Sequence, residues 1–317
     1  VKLIFMGTPE FAVPSLKAVL TEGHEVAAVV TQPDRPKGRK RVLTPPPVKI
    51  EAEKHGIPVY QPEKLRQSDV IDRIREIAPD LIVTAAYGQI LPKSLLEVPR
   101  LGCINIHASL LPKYRGGAPI HHAVMNGDPV TGVTIMYMAE GLDTGDMISK
   151  VEVPIMDEDT AGSMFKKLAA AGADLLRRTL PGLMDGSIQA VPQNEKEAVY
   201  SPNITRENEK IDWSRTSLQI FNQIRGLNPF PGAYTLWNGA IMKVWACQKP
   251  SINSGPEAVK DPVPGTVLSC TVNGIEVATG DGSLILTTIQ SPGKKAMDVA
   301  QFARGSSIPN GTILGEE

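Results

Sequence analysis

Short, continuously apolar runs alternate with segments of helical period along the first half of the chain. Lys2–Met6, Glu25–Thr31, Pro58–Tyr60, Pro79–Ala86 and Leu101–His107 read as strands, with helices at Val13–Glu22, Val48–His55 and Asp69–Ala78 between them. Strands that are apolar throughout and separated by helices predict a mostly parallel sheet covered by helices on both faces, an α/β fold of Rossmann-like type. Val130–Met138 adds another β-rich run. Thr160–Leu183 predicts a long amphipathic helix with Phe165, Leu168, Leu175 and Leu176 on one side.

Polar, proline-containing residues then interrupt this pattern between 185 and 205. The expected division is an α/β domain over 1–188, a linker over 189–206 and a second domain over 207–317. Ser217–Arg225 is helical and stops at Gly226. After it, Ala233–Trp237, Ala240–Ala246, Gly265–Ser269, Gly274–Ala278 and Ser283–Ile289 read as short strands. Their turns, Asn238-Gly239, Asn273-Gly274 and Asp281-Gly282, are strong hairpin signals. Five or six short strands with tight turns predict a small OB-like β-barrel.

Composition changes this picture little. The 317 residues provide cores for two domains. A formal net charge of −1 excludes a generally basic nucleic-acid coat and leaves room for a local basic patch. No apolar run approaches the roughly 18–20 residues that span a bilayer, and VKLIFMGTPEF has none of the features of a secretion signal. Three scattered cysteines suggest neither a zinc site nor a disulfide framework, so a cytoplasmic protein without a metal is expected. Gly7-Thr8-Pro9 follows the first strand, but the later glycines of a dinucleotide-binding loop are missing.

The stretch Cys103–Ile120, CINIHASLLPKYRGGAPI, carries the chemistry. Alternation with period two puts Asn105 and His107 on the same face of a strand, near its C-terminal end. Ligands of open α/β sheets sit just beyond such ends. An amide and an imidazole there suit a carbonyl that is becoming tetrahedral, and an oxyanion donor of this kind is worth about 3–4 kcal/mol. Asp143, in the glycine-bracketed EGLDTGD, is the candidate third member. An aspartate beside an imidazole fixes its tautomer and relays protons, although the same Asp-Thr-Gly also suits a plain turn. Ser109 lacks the G-x-S-x-G elbow of a serine nucleophile. His121 and His122 are read as the structural start of a helix.

Five stretches resemble the 10-formyltetrahydrofolate-dependent formyltransferases, and among them the methionyl-tRNA formyltransferase family: MGTPEFAVPSL, TQPDRPKGRKR, AAYGQILP, INIHASLLPKYRGGAPI and GLDTGD. The resemblance spans nearly the whole length, and the N-x-H-x-S-L-L-P order is its most specific part. It implies that Asn105, His107 and Asp143 are the catalytic trio. It further implies that a folate pocket is lined by Ser109, Leu110, Leu111 and Pro112 and by the loop Tyr87, Gly88, Gln89, Ile90, Leu91 and Pro92. The carboxylate tail of 10-formyltetrahydrofolate needs cations nearby, for which Lys113 and Arg115 are the candidates. The implied reaction is direct attack of an amine on the formyl carbon, through a tetrahedral intermediate.

The acceptor is a separate question. Asp34–Arg41 holds five basic residues in eight: Arg35, Lys37, Arg39, Lys40 and Arg41. A basic loop on the site's end of the sheet suits a polyanion, and a solvated charge run is the plainer alternative. The resemblance implies that this loop meets the acceptor stem of initiator methionyl-tRNA and that Lys294 and Lys295 touch phosphate. Arg206 and Lys210 read as surface charge. A small amine, such as a nucleotide-linked amino sugar, is the alternative acceptor. No dimerisation helix stands out, and a monomer is expected.

Overall fold

The computed structural model describes residues 1–251 and 262–317. They form two compact units, and each takes chain from more than one stretch. The first holds Val1–Pro119, Val130–Pro154 and Phe165–Ser201; the second holds Ile120–Pro129, Ile155–Met164 and Pro202–Glu317.

In the first unit, β1 (Lys2–Gly7), α1 (Val13–Thr21) and β2 (Glu25–Val30) are followed by a hairpin of β3 (Arg35–Lys37) and β4 (Val42–Thr44). Then come α2 (Pro47–Lys54), β5 (Val59–Tyr60), α3 (Val70–Ile77), β6 (Leu81–Ala85), α4 (Lys93–Leu96) and β7 (Cys103–His107). After α5 (Pro119–Met125), which from Ile120 on belongs to the second unit, the first unit continues with β8 (Val130–Tyr137), β9 (Met147–Pro154) and, from Phe165 on, the long α6 (Ala161–Asp185). The seven-stranded sheet has the order β5-β2-β1-β6-β7-β8-β9. Its first five strands are parallel, and β8 and β9 run antiparallel to their neighbours.

The parallel strands are buried on both faces, as their continuous apolar runs require: Leu3, Ile4, Phe5, Leu81, Ile82, Val83 and Ile104 are fully inaccessible. Pleating divides them. Ile4, Met6, Ile82 and Cys103 pack with Ile71, Ile74, Tyr87 and Leu95 on one face. Ile106 points to the other, where Gly172 of α6 lies against Ile106 and Val133. Asn105 and His107 continue the Cys103 face toward the C-terminal end of β7.

Three sequence expectations change here. β9 had no counterpart, because it is an edge strand of alternating pattern, MISKVEVP, rather than a continuous apolar run. The basic loop is a two-stranded ribbon whose positions are nearly all exposed, so no apolar period marks it. Phe165 is exposed on α6, whereas Leu168, Leu175 and Leu176 are buried as the amphipathic pattern requires.

The second unit contains α7 (Arg206–Glu209), α8 (Ser217–Gly226), β10 (Ala233–Trp237), β11 (Ala240–Cys247), β12 (Val267–Thr271), β13 (Gly274–Ala278), β14 (Ser283–Gln290), β15 (Met297–Asp298) and α9 (Val299–Gly305). The strands form an antiparallel sheet of order β10-β11-β14-β13-β12, with β15 on β14. Asn238 and Gly239 both have positive φ, at 51° and 72°, which is the turn geometry that matches strand twist in a two-residue hairpin. Ile220, Phe221 and Ile224 of α8 join Met242, Val244, Val277 and Leu286 in its core.

Candidate active site

The site lies within the first unit, at the C-terminal end of β7. Asn105 stands opposite Thr84 of β6 and Met136 of β8. The Thr84 hydroxyl donates to Asn105 Oδ1 at 2.8 Å. With its oxygen held in this way, the amide turns its N–H donors away from Thr84. His107 is buried, and its Nε2 lies 2.8 Å from the carbonyl of Tyr114. Only an N–H can satisfy a carbonyl, so Nε2 carries the proton and Nδ1 is the exchangeable atom. Nδ1 lies 3.7 Å from Asp143 Oδ2, beyond hydrogen-bond distance. Asp143 Oδ2 also accepts the Gly116 N–H at 2.8 Å. The structure therefore brings all three trio candidates of the sequence to one strand end.

The SLLP turn is held by side-chain hydrogen bonds to its backbone. Ser109 is inaccessible, and its hydroxyl donates to the Lys113 carbonyl at 2.6 Å, so it is not poised as a nucleophile. Thr134 donates to Ser109 O at 2.7 Å and accepts from Leu111 N–H at 3.1 Å. Lys150 Nζ donates to Leu111 O at 2.5 Å, and burial lowers the Lys150 pKa. Leu111 and Pro112 are buried and Leu110 is half-buried.

In the second loop, Tyr87 and Leu91 pack into the core, and burial pushes the Tyr87 hydroxyl up to about 12. The carbonyl of Tyr87 accepts from Thr8 and Gln32. Gln89 is spent on neighbouring loops: its oxygen accepts Leu65 N–H at 2.8 Å and its amide donates to Gln32 and Pro62. Pro92 is half-buried at the start of α4. Gly88, with φ of 93°, and Ile90, at 72% exposure, are what this loop offers to solvent. An apolar side chain held out beside a glycine fits the flat ring of a pterin.

Of the two cations considered for a folate tail, Arg115 is withdrawn. It is fully buried and pairs with Glu195 through both terminal nitrogens, at 3.0 and 2.8 Å. These bonds to Glu195 raise its already high pKa further. Lys113 is exposed. Neither Glu195 nor Gln193, which also binds Arg115, carries a local signal in the sequence. Both lie in the stretch that reads as a linker, yet as far as Ser201 this stretch is part of the first unit. There Val191 pairs with Met147, and Tyr200 bridges to Arg115.

Arg35, Lys37, Arg39, Lys40 and Arg41 are all exposed on the ribbon, with Arg35 3.6 Å from Glu63. Val42 and Leu43 beside them are 60% and 64% exposed. In the second unit, Lys294 and Lys295 are exposed after β14. Arg206 is tied to Glu209 at 3.0 Å and stacked 4.5 Å over the Tyr234 ring. His121 Nδ1 and His122 Nε2 each meet a carbonyl, of Gly226 and Pro202, at 2.9 and 2.8 Å. Among the described residues no His, Cys, Asp and Glu cluster could hold a metal, and no helix is long and apolar enough to cross a membrane.

Residues 1–180 match the family model described as "Formyl transferase" and 203–307 that described as "Formyl transferase, C-terminal domain". Methionyl-tRNA formyltransferase of Halalkalibacterium halodurans is 56% identical over 317 residues, covering 99% of this chain and 98% of its own. That of Bacillus subtilis is 55% identical over 315 residues, with the same coverage. Among solved structures, the sugar 3N-formyl transferase WlaRD superposes with a TM-score of 0.68 at 21% identity, covering 93% of this chain and 99% of its own. HypX from Aquifex aeolicus gives 0.62 at 17% identity; the match covers 95% of this chain and 46% of the longer HypX. These two share the fold. With its two domain models in sequence order and relatives more than half identical along its length, the chain belongs to the formyl transferase family.

Proposed function

We propose that the chain transfers the formyl group of 10-formyltetrahydrofolate to the free α-amine of methionine on initiator methionyl-tRNA, giving N-formylmethionyl-tRNA and tetrahydrofolate at translation initiation. The observation that carries this reading is the 56% identity to a methionyl-tRNA formyltransferase along nearly the whole chain. The strand-end meeting of Asn105, His107 and Asp143 supports it. A catalytic domain over 1–188 and a β-domain over 207–317, joined through 189–206, are part of the same reading.

The co-substrate supplies an activated formyl carbon and the acceptor an amine; the chain supplies hydrogen-bond donors and proton carriers. Asn105, its oxygen held by Thr84, donates an N–H to the oxygen that gains charge as the amine adds. His107, with its Nε2–H committed to Tyr114 O, takes the amine's proton on Nδ1 and from there donates to the same oxygen. A new C–N bond forms to the acceptor amine, and the bond from the formyl carbon to the folate nitrogen breaks. One proton leaves the amine and one arrives on that nitrogen, and Asp143 with His107 Nδ1 carries it. Tyr87 to Pro92 and Ser109 to Pro112 line the folate, largely through backbone, and Lys113 serves its tail. The basic ribbon and Lys294-Lys295 meet tRNA phosphates. The free state of Cys103, Cys247 and Cys270 accords with a reducing cytoplasm, and a monomer is the expected form, which sedimentation checks.

His107→Ala and Asp143→Asn test the assignment, with formylation of initiator methionyl-tRNA and folate binding measured separately. A loss of turnover with retained folate binding is expected; near-normal turnover in either variant sinks it. Equal formylation of a nucleotide-linked amino sugar would move the acceptor to that class.

A further inference from the structure

Gln193 sits in the stretch that the sequence presents as a linker, fifty residues from Asp143 in the chain. Its Nε2 donates to two carbonyls of the Asp143 loop, Asp143 O and Gly145 O, each at 2.8 Å. Its Oε1 accepts from Arg115 Nε at 3.0 Å and Nη2 at 2.8 Å. Arg115 is itself immobilised. Its N–H donates to Val199 O, its carbonyl accepts from Ser201, and its guanidinium is completed by Glu195. The residue after it, Gly116, donates to the Asp143 carboxylate. Gly116 has φ of 113°, and a Cβ there would lie 2.9 Å from Ser201 O.

Asp143 is therefore held from two sides that share one anchor: Arg115 steadies both Gly116, on the carboxylate, and Gln193, on the carbonyl. The loop needs this support. Asp143 has φ of 52°, in the left-handed region that residues other than glycine enter at a cost, aspartate at less than most. We infer that Gln193 is a positioning residue for formyl transfer, fixing the Asp143 loop so that its carboxylate faces His107 Nδ1. The inference rests on the reading that Asp143 takes part in the reaction.

Gln193→Glu isolates the contact. It keeps an oxygen acceptor for Arg115 and removes both N–H donors to the loop carbonyls. Expected is a fall in kcat of at least about tenfold, as loss of near-attack geometry gives, with KM for 10-formyltetrahydrofolate and for tRNA within twofold. A purely structural role would cost the same factor in any background. In Asp143→Asn, Gln193→Glu is instead expected to cost less than twofold in single-turnover transfer, because the positioned carboxylate is already gone. Equal loss in both backgrounds overturns the inference, as does Gln193→Glu within twofold of the unmodified protein. Gln193→Ala is the second variant, with the same loss and the same non-additivity expected, and full activity in it is likewise refuting. Wild-type turnover in Asp143→Asn alone would overturn the underlying reading of Asp143, an outcome distinct from either of these.

Discussion

Replacing Thr84 by valine deletes one hydroxyl and leaves the shape of a side chain that is 1% exposed. That hydroxyl has one proton. Asn105 Oδ1 is its shortest contact at 2.8 Å, ahead of Ile104 O at 3.0 Å and Met138 Sδ at 3.2 Å. In the variant a methyl group faces the amide oxygen. Loss of one part-buried hydrogen bond, with its acceptor left unpaired, costs about 1–2 kcal/mol of stability. For a domain of this size that lowers the melting temperature by roughly 2–8 °C. The effect on transfer follows from the freedom given to the amide. Deleting an oxyanion donor outright costs about 100- to 1000-fold in kcat, which is the expectation for Asn105→Ala. A donor that is only released from its orientation keeps part of its effect, so Thr84→Val is expected to lose about tenfold, less than outright deletion of the donor. Single-turnover formylation at saturating 10-formyltetrahydrofolate reads this loss, with melting followed in parallel. Thr84→Ser, which keeps the hydroxyl, should restore most of the rate. If Thr84→Val loses the stability and still transfers within twofold of the unmodified rate, Thr84 does not orient Asn105 and the argument fails.

Three further outcomes are expected. Tyr87 buries a hydroxyl that has no hydrogen-bond partner among the described residues; Tyr87→Phe should leave stability unchanged or raise it by about 1 kcal/mol, and a lower denaturant midpoint would contradict this. The Asp80 carboxylate is held below its ordinary range by the Lys2 N–H and by Arg100. A depressed folded pKa stabilises above the unfolded value, near 3.9, and the gain is lost as pH falls through the folded one. The stability gap between the unmodified protein and Asp80→Asn should therefore be widest near neutrality and close in acid; a gap that does not change with pH would refute it. Removing Arg39, Lys40 and Arg41 together should weaken tRNA binding and lower the slope of log affinity against log salt by about 2–3, at close to one unit per lost phosphate contact, and an unchanged slope would take the ribbon out of the interface.

Each reading from sequence succeeded where the signal was local. The parallel strands announce themselves because both faces are buried and every position is apolar. Asn105 and His107 stand out because they interrupt such a strand at positions two apart. Asn238-Gly239 marks a hairpin because few residue pairs accept positive φ. The signal fails where burial is one-sided or missing. β9 alternates at a sheet edge, the β3–β4 ribbon is exposed throughout, and Phe165 lies on the solvent side of a helix whose other apolar positions are buried.

By itself, then, the sequence determined the buried parallel strands, the longer helices and the polar pair at the end of β7, since periods of 2 and 3.6 are properties of neighbouring residues. Its residues offered Asp143 as a third member with a plain turn as the alternative, and the motif resemblance favoured the first. Only the tertiary structure decided that Asp143 Oδ2 lies 3.7 Å from His107 Nδ1, that Tyr114 O holds the other ring nitrogen, and that Arg115 belongs to Glu195 and Gln193. The reason is reach. A hydrogen bond needs its donor and acceptor within about 3 Å and aligned, and for residues fifty or eighty positions apart that is set by the path of the whole chain.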